Sequence, residues 1–264
     1  MTIKTAVLLV NLGSPDSTEV SAVRRFLRRF LSDKRVVNLP RILWLPILHC
    51  IILPFRPYKS AKAYREIWLE NGSPLAIFTA SLAQKLARQL ATDSITIDYA
   101  MSYAVPEISQ KLTEWQAANI EKLIVLPLYP QYSSTTTASV YDEINRFWMK
   151  QYRIPQLHFI CDYHQQAFYI QALAQSIRHY WQEHGQEYLL ISFHGLPAKL
   201  TEWGDPYFYQ CQQTAQLLIA ELNLNPDQWQ LVFQSRFGRA EWLKPYCVEV
   251  LEKLPHQGIK KIQV

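Results

Sequence analysis

His194 stands where the apolar run YLLISF (188–193) ends, and Gly195, Leu196 and Pro197 follow it. Those residues, with Gly204-Asp205-Pro206 beyond, stop any regular element from running on through the histidine. In an apolar cleft an imidazole loses hydration, its pKa falls, and it stays neutral near pH 7. In that state it can accept a proton or ligate a metal. The competing reading is a histidine packed for structure alone. Other apolar runs end in equally reactive company. One leads into Asn11-Leu12-Gly13-Ser14-Pro15, another into Tyr129-Pro130-Gln131-Tyr132-Ser133-Ser134-Thr135, and a third into Gln234-Ser235-Arg236-Phe237-Gly238-Arg239 with Trp242 close behind.

The elements that must carry these residues follow from hydrophobic period. Short apolar runs recur as TAVLLV (5–10), ITIDYAM (95–101), LIVLPL (123–128), LHFI (157–160), YLLISF (188–193), WQLVFQ (229–234) and IKKIQV (259–264). Helix-period stretches lie between them, over 78–90, 108–118, 139–150, 165–183, 209–222 and 243–254, with Ser17 as the expected N-cap of a first helix. Runs apolar on both faces, alternating with helices, predict buried parallel strands in an α/β fold. A polar, Pro-containing break at 151–156 divides the chain into an expected domain over 1–150 and a second over 151–264. In open parallel sheets ligands bind at the carboxyl ends of strands, where all four of these loops fall.

Motif chemistry narrows the classes. NLGSP is not the dinucleotide-binding GxGxxG, and no GxxxxGK[ST] occurs, so nucleotide binding is unsupported. Gly13 is expected to let the backbone turn tightly beneath a bulky ligand. Of the five hydroxyl residues in YPQYSSTTT, a helix cap uses one or two; the rest either bind a carboxylate or face water.

A chain of 264 residues with 49% hydrophobic and 19% charged residues suits a folded globular protein. Its 8 Trp and 15 Tyr suit either a flat apolar ligand or an aromatic core. Cys50, Cys161, Cys211 and Cys247 form no CxxC pair, which argues against zinc, an iron–sulfur cluster or a disulfide framework. The net charge of +5 owes much to RRFLRR (24–29), either a solvated helix face or an anion- or membrane-facing one. No basic stripe interleaved with aromatics suggests nucleic acid. The N-terminal apolar run reaches Gly-Ser-Pro too early for a signal peptide, so a reducing cytoplasm is expected. LPRILWLPILHCIILPFRPY (39–58) carries too many prolines for a membrane-spanning helix. It is expected as a surface apolar lip that meets a membrane, lines a substrate mouth or simply packs.

Taken together, LLVNLGSP (8–15), FLSDKRVV (30–37), GSPL (72–75), LPLYPQYSSTT (126–136), ISFHGLP (191–197), GDPY (204–207) and FQSRFGRAEWLKPY (233–246) resemble the ferrochelatase family, in order and over essentially the whole chain. The likeness is to the bacterial protoporphyrin type rather than the coproporphyrin type. It implies two Rossmann-like, chelatase-type domains whose cleft takes a porphyrin edge-in, and insertion of ferrous iron into protoporphyrin IX to form protohaem. By that likeness His194 is the metal-site histidine and proton acceptor. Leu12, Tyr129, Phe237 and Trp242 match porphyrin-pocket positions, while Lys34, Arg35, Ser133 and Thr135 fall where polar groups meet propionates or the rim. The apolar lip implies peripheral contact with the inner face of the membrane. Fe2+ is the implied substrate metal. No iron–sulfur cluster is expected, since the YPQYS loop carries Ser134 where animal members place a cysteine.

One departure stands out. The chain stops at Gln263-Val264, inside a strand that in the family leads to an acidic residue opposite the histidine and to closing helices. The second domain is therefore expected to be incomplete. Two other readings stay open: an inactive porphyrin- or metal-binding remnant, and a chelatase for another tetrapyrrole.

Overall fold

The apolar runs form strands in the computed structural model, which describes residues 3–90, 92–236, 238 and 240–264. In chain order come β1 (Thr5–Asn11), α1 (Val20–Leu31), α2 (Arg41–Ile47), α3 (Leu53–Ile67), α4 (Pro74–Leu90), β2 (Ile95–Met101), α5 (Ile108–Ala117), β3 (Lys122–Pro127), α6 (Thr137–Trp148) and β4 (Gln156–Phe159). Then follow α7 (Ala167–His184), β5 (Tyr188–His194), α8 (Lys199–Glu202), α9 (Tyr207–Leu222), β6 (Trp229–Gln234), α10 (Cys247–Lys253) and β7 (Ile262–Gln263). The chain divides into one unit of Met1–Tyr129 with Ser134–Cys161 and another of Pro130–Ser133 with Asp162–Val264.

The first unit is a parallel sheet in the order β2-β1-β3-β4. Between Thr5 and Asn11, central β1 is an unbroken apolar run, as suits a strand covered on both faces. Ala6, Leu8 and Val10, two apart and so on one face, pack with Leu123 and Val125 of β3 against Ile108, Leu112 and Trp115 of α5 and Val140, Ile144 and Trp148 of α6. Burying each such leucine or isoleucine contributes about 1.5–3 kcal/mol. The second unit is a parallel sheet in the order β6-β5-β7. Leu189 packs toward Ala174 of α7 and Leu218, Ile219 and Leu222 of α9. Leu190 and Val232 face the other way, onto Val250 of α10 and Leu254. The α/β reading with parallel strands and flanking helices holds.

Local expectations needed two corrections. Ser17 does not cap α1. The N-cap is Glu19, with no side-chain cap bond, and the Ser17 hydroxyl merely accepts from the Glu19 N–H at 3.3 Å. The helix expected from 243 begins at Cys247, because Pro245 interrupts the approach to it. In the lip, the prolines do not break the helical path. α2 and α3 are joined through a π-helical segment, Leu48–Ile52, with Pro46 inside α2 and Pro57 inside α3. A wider π turn takes up the registry shift that missing N–H donors impose. Leu48, Leu53 and Ala61 also bury against Val23, Phe26, Leu27 and Leu31 of α1, which holds the segment in place. Among the described residues no helix is long and apolar enough to cross a membrane.

Gly13 has φ +91°, and a Cβ there would lie 2.7 Å from Ala104 Cβ and 3.1 Å from Met101 Cβ. The tight turn is as expected, but what fills the space beneath it is the loop after β2. Gly13→Ala should therefore destabilise the chain by about 1–3 kcal/mol. A thermal unfolding midpoint equal to wild type would refute this packing role.

Candidate active site

In the second unit, β5 ends on His194, paired in register with Gln234 at the end of β6. The next residue fastens that end. Gly195 N–H donates to the Gln234 carbonyl at 2.7 Å, and a Cβ on residue 195 would sit 2.6 Å from that same oxygen. Only glycine fits, so the strand end and the histidine's backbone are held rigidly. The Tyr207 hydroxyl donates to the His194 carbonyl at 3.0 Å. Burial pushes the Tyr207 pKa up, so it remains a protonated donor.

The His194 ring makes no hydrogen bond among the described residues, and its accessible area is that of an exposed side chain. Enough protein nevertheless surrounds the imidazole for lost hydration to pull its pKa below 6.5. Its lone pair is thus available at neutral pH. His164 shows the opposite case. It is 3% exposed, with Nδ1 bonded to Asp162 and Nε2 to Gln213, both at 2.8 Å, and it serves structure.

Trp242 joins His194. Its ring carbon Cε3 lies 3.4 Å from where a Gly195 Cβ would be, and the stretch around it pairs with the loop after His194 through Leu243 N–H to Leu196 O and Ala198 N–H to Glu241 O. The Trp242 indole N–H is buried and without a hydrogen-bond partner among the described residues. Phe237 lies outside the described residues.

Ser133 is only 1% exposed, and its hydroxyl donates to Asp205 at 3.1 Å. Asp205 in turn accepts from the Tyr207 N–H at 3.0 Å. A hydrogen-bonded path therefore runs from Ser133 through Asp205 and Tyr207 to His194. Gln131, bonded to Thr214 at 2.9 Å, pins the same loop. Beneath it, burial raises the Cys211 thiol to about 12, which keeps it unreactive.

In the first unit, the Leu12 carbonyl accepts from Tyr103 N–H at 3.1 Å, and Asn11 Nδ2 donates to Thr79 at 3.0 Å. Leu12 packs at the edge of the cluster around Phe26 and Tyr103, whereas Tyr129 packs against the α5–α6 side of the sheet. Asp33 organises the loop after α1. It accepts from Tyr103 at 2.7 Å, from Ser139, and from Arg35 N–H at 2.8 Å. The Arg35 guanidinium is bidentate on Asp142, at 2.8 and 3.0 Å, and draws that carboxyl's pKa down. Lys34 is exposed and forms no ion pair among the described residues. Thr135 is half-buried. The arrangement brings His194, Trp242 and Ser133 into one connected group, and Leu12, Lys34 and Arg35 around a second, anchored by Asp33.

Three contributors escaped the sequence reading. Asp205 and Tyr207 were visible only as the GDPY motif, without a role. Glu143 of α6 gave no signal at all, yet burial raises it to about 7 despite the opposing Arg29 and Arg146 charges. Among the described residues no group of three or more His, Cys, Asp or Glu could hold a metal ion.

A family model described as Ferrochelatase matches residues 4–264. A ferrochelatase of Methylococcus capsulatus is 50% identical over 262 residues, covering 99% of this chain and 80% of the relative. One from Aeromonas hydrophila is 47% identical over 269 residues, covering 100% of this chain and 82% of the relative. Among solved structures, SirB from Bacillus subtilis with Fe3+ superposes with a TM-score of 0.53 at 14% identity, over 96% of this chain and 71% of that one. At that identity it speaks for the fold alone.

Tyr207→Phe deletes one hydroxyl and the bond to the His194 carbonyl. We expect it to cost about 0.5–1.5 kcal/mol in chemical denaturation. Asp205→Ala, which removes the carboxylate that accepts from both the Ser133 hydroxyl and the Tyr207 N–H, should cost more. Equal losses in the two variants would contradict the path drawn here.

Proposed function

The chain belongs to the ferrochelatase family, enzymes that insert ferrous iron into protoporphyrin to make haem, and we propose that His194 is the group that receives a pyrrole proton and meets the incoming iron. The observation that carries this is an imidazole with no hydrogen-bond partner among the described residues and a lowered pKa, on a strand end that glycine and a tyrosine hydroxyl hold still.

The chemistry asks for such a group. Free-base protoporphyrin must lose two N–H protons from a flat, rigid ring that hides them from base and metal alike. Binding contacts distant from the ring centre can favour a bent conformer that exposes them. A neutral imidazole fixed nearby offers one lone pair, which can ligate iron as water leaves or accept a pyrrole proton without first losing one of its own, but not both at once. Trp242, whose ring lies against Gly195, supplies a flat apolar surface next to the residue that follows His194. We assign Leu12, Tyr129, Phe237 and Thr135 to the porphyrin's surroundings, and Lys34, the exposed ammonium, to a propionate. Arg35 and Ser133, whose polar groups engage Asp142 and Asp205, serve that pocket by holding their loops. On the same reading the chain works in the cytoplasm, and the lip at 39–58 rests on the inner face of the membrane. The support for this is the exposure of Ile42, Leu43, Ile51 and Phe55.

His194→Ala is expected to bind protoporphyrin, followed by fluorescence, while iron insertion falls about 10²–10⁴-fold. Near wild-type insertion would remove His194 from the mechanism. Because its pKa lies below 6.5, wild-type kcat/KM should be level near pH 7 and drop as pH falls through that depressed value, where the imidazole protonates. A profile that rises on acidification would contradict a neutral base.

A further inference from the structure

The apolar lip borders a surface pocket of about 610 Å3 lined by Ser21, Arg24, Arg25, Arg28, His49, Leu53, Pro54 and Tyr58. Arg24, Arg25 and Arg28 share one side of α1, at i, i+1 and i+4. Arg24 Nε donates to the Leu53 carbonyl at 3.0 Å, which ties the first arginine to the start of α3. Arg25 meets Asp16 in an exposed pair at 3.2 Å, an interaction of little strength. Arg28 has no partner among the described residues, and no acidic side chain lines the pocket.

The wider surroundings are as one-sided. Residues 20–65 hold eleven Lys and Arg against a single acid, Asp33, in a chain whose net charge is only +5. Asp33 itself is occupied by Tyr103 and Ser139. Between the lining residues His49 and Tyr58 the chain also carries Ile51, 56% exposed, and Phe55, 72% exposed, and α2 of the same lip adds exposed Ile42 and Leu43. A concave patch of guanidinium groups next to protruding apolar side chains matches one surface in particular. Anionic headgroup phosphates lie within a few ångströms of acyl chains.

We propose that the Arg24–Arg25–Arg28 pocket binds the phosphate of an anionic phospholipid while the lip enters the same leaflet. This rests on the lip's membrane role proposed above, and adds to it a headgroup site and a preference for anionic lipid.

The test is co-sedimentation of the whole chain with vesicles of phosphatidylcholine alone or mixed with phosphatidylglycerol. Arg25→Gln with Arg28→Gln should lower partition onto the mixed vesicles roughly thirtyfold, at about fivefold per cation. Partition onto phosphatidylcholine should stay at the wild-type level, as should iron insertion into detergent-dispersed protoporphyrin. Ile42→Ser with Phe55→Ser should lose both vesicle types. If the arginine pair binds mixed vesicles as wild type does, the headgroup site is refuted while the lip reading survives. If only the serine pair behaves as wild type, the lip reading fails and the arginine site stands on charge alone. Displacement of wild type from mixed vesicles by glycerol phosphate at the same phosphate concentration would mark a free-phosphate site and overturn the lipid assignment.

Discussion

At residue 195 the backbone of one strand end comes so close to the carbonyl of the next that a single methyl group would collide with it. The contact joins β5 to β6 just beyond their last register pair, His194 with Gln234. A hydrogen bond of 2.7 Å at the same place turns that closeness into a fixed geometry. The consequence is local stiffness in a loop, a kind of segment that ordinarily moves. His194 can then present a ring that no hydrogen bond holds among the described residues. Precision comes from the main chain, and the side chain is left unencumbered.

Each unit uses a carboxylate for a similar purpose, buried in the case of Asp205 and half-buried in that of Asp33. Asp205 receives Ser133 and the Tyr207 N–H in one. In the other, Asp33 receives Tyr103, Ser139 and the Arg35 N–H. Both lie at loops that follow regular elements, where backbone groups lack ladder partners. A carboxylate with several lone-pair sites satisfies a few donors at once and orders the loop around itself. Apolar packing on either face of the sheets provides the bulk of the stability, and these polar hubs set the conformation of the functional loops. Neighbouring residues such as Arg35 are thereby drawn into intramolecular pairs, and Lys34 is left facing outward.

Charge is distributed with the same economy. Residues 20–65 are strongly cationic while the remainder of the chain is net acidic, so the modest total conceals a polarised molecule. That cationic stretch contains α1 and the lip, whose inward leucines bury against one another and whose outward residues remain uncovered. Prolines that argue against a helix on local grounds are accommodated there by a π turn and by packing, since tertiary burial outweighs a lost hydrogen bond or two.

Strand positions, the parallel α/β class and the placement of His194 at a strand end were all legible in the sequence. They depend on hydrophobic period and on glycine and proline punctuation, which act over a few residues. The family could be read from ordered motifs for the same reason. Partnership was not legible. The sequence placed His194 at a strand end but could not say that its ring would stay unbonded among the described residues while packing fastens both ring nitrogens of His164. Ser133 meets a carboxylate 72 positions away and Arg35 one 107 away. Whether Glu143 titrates near neutrality depends on how much protein surrounds it. Hydration and distant partners are properties of the folded surface, so tertiary structure alone decided which of the chain's reactive groups remain free to react.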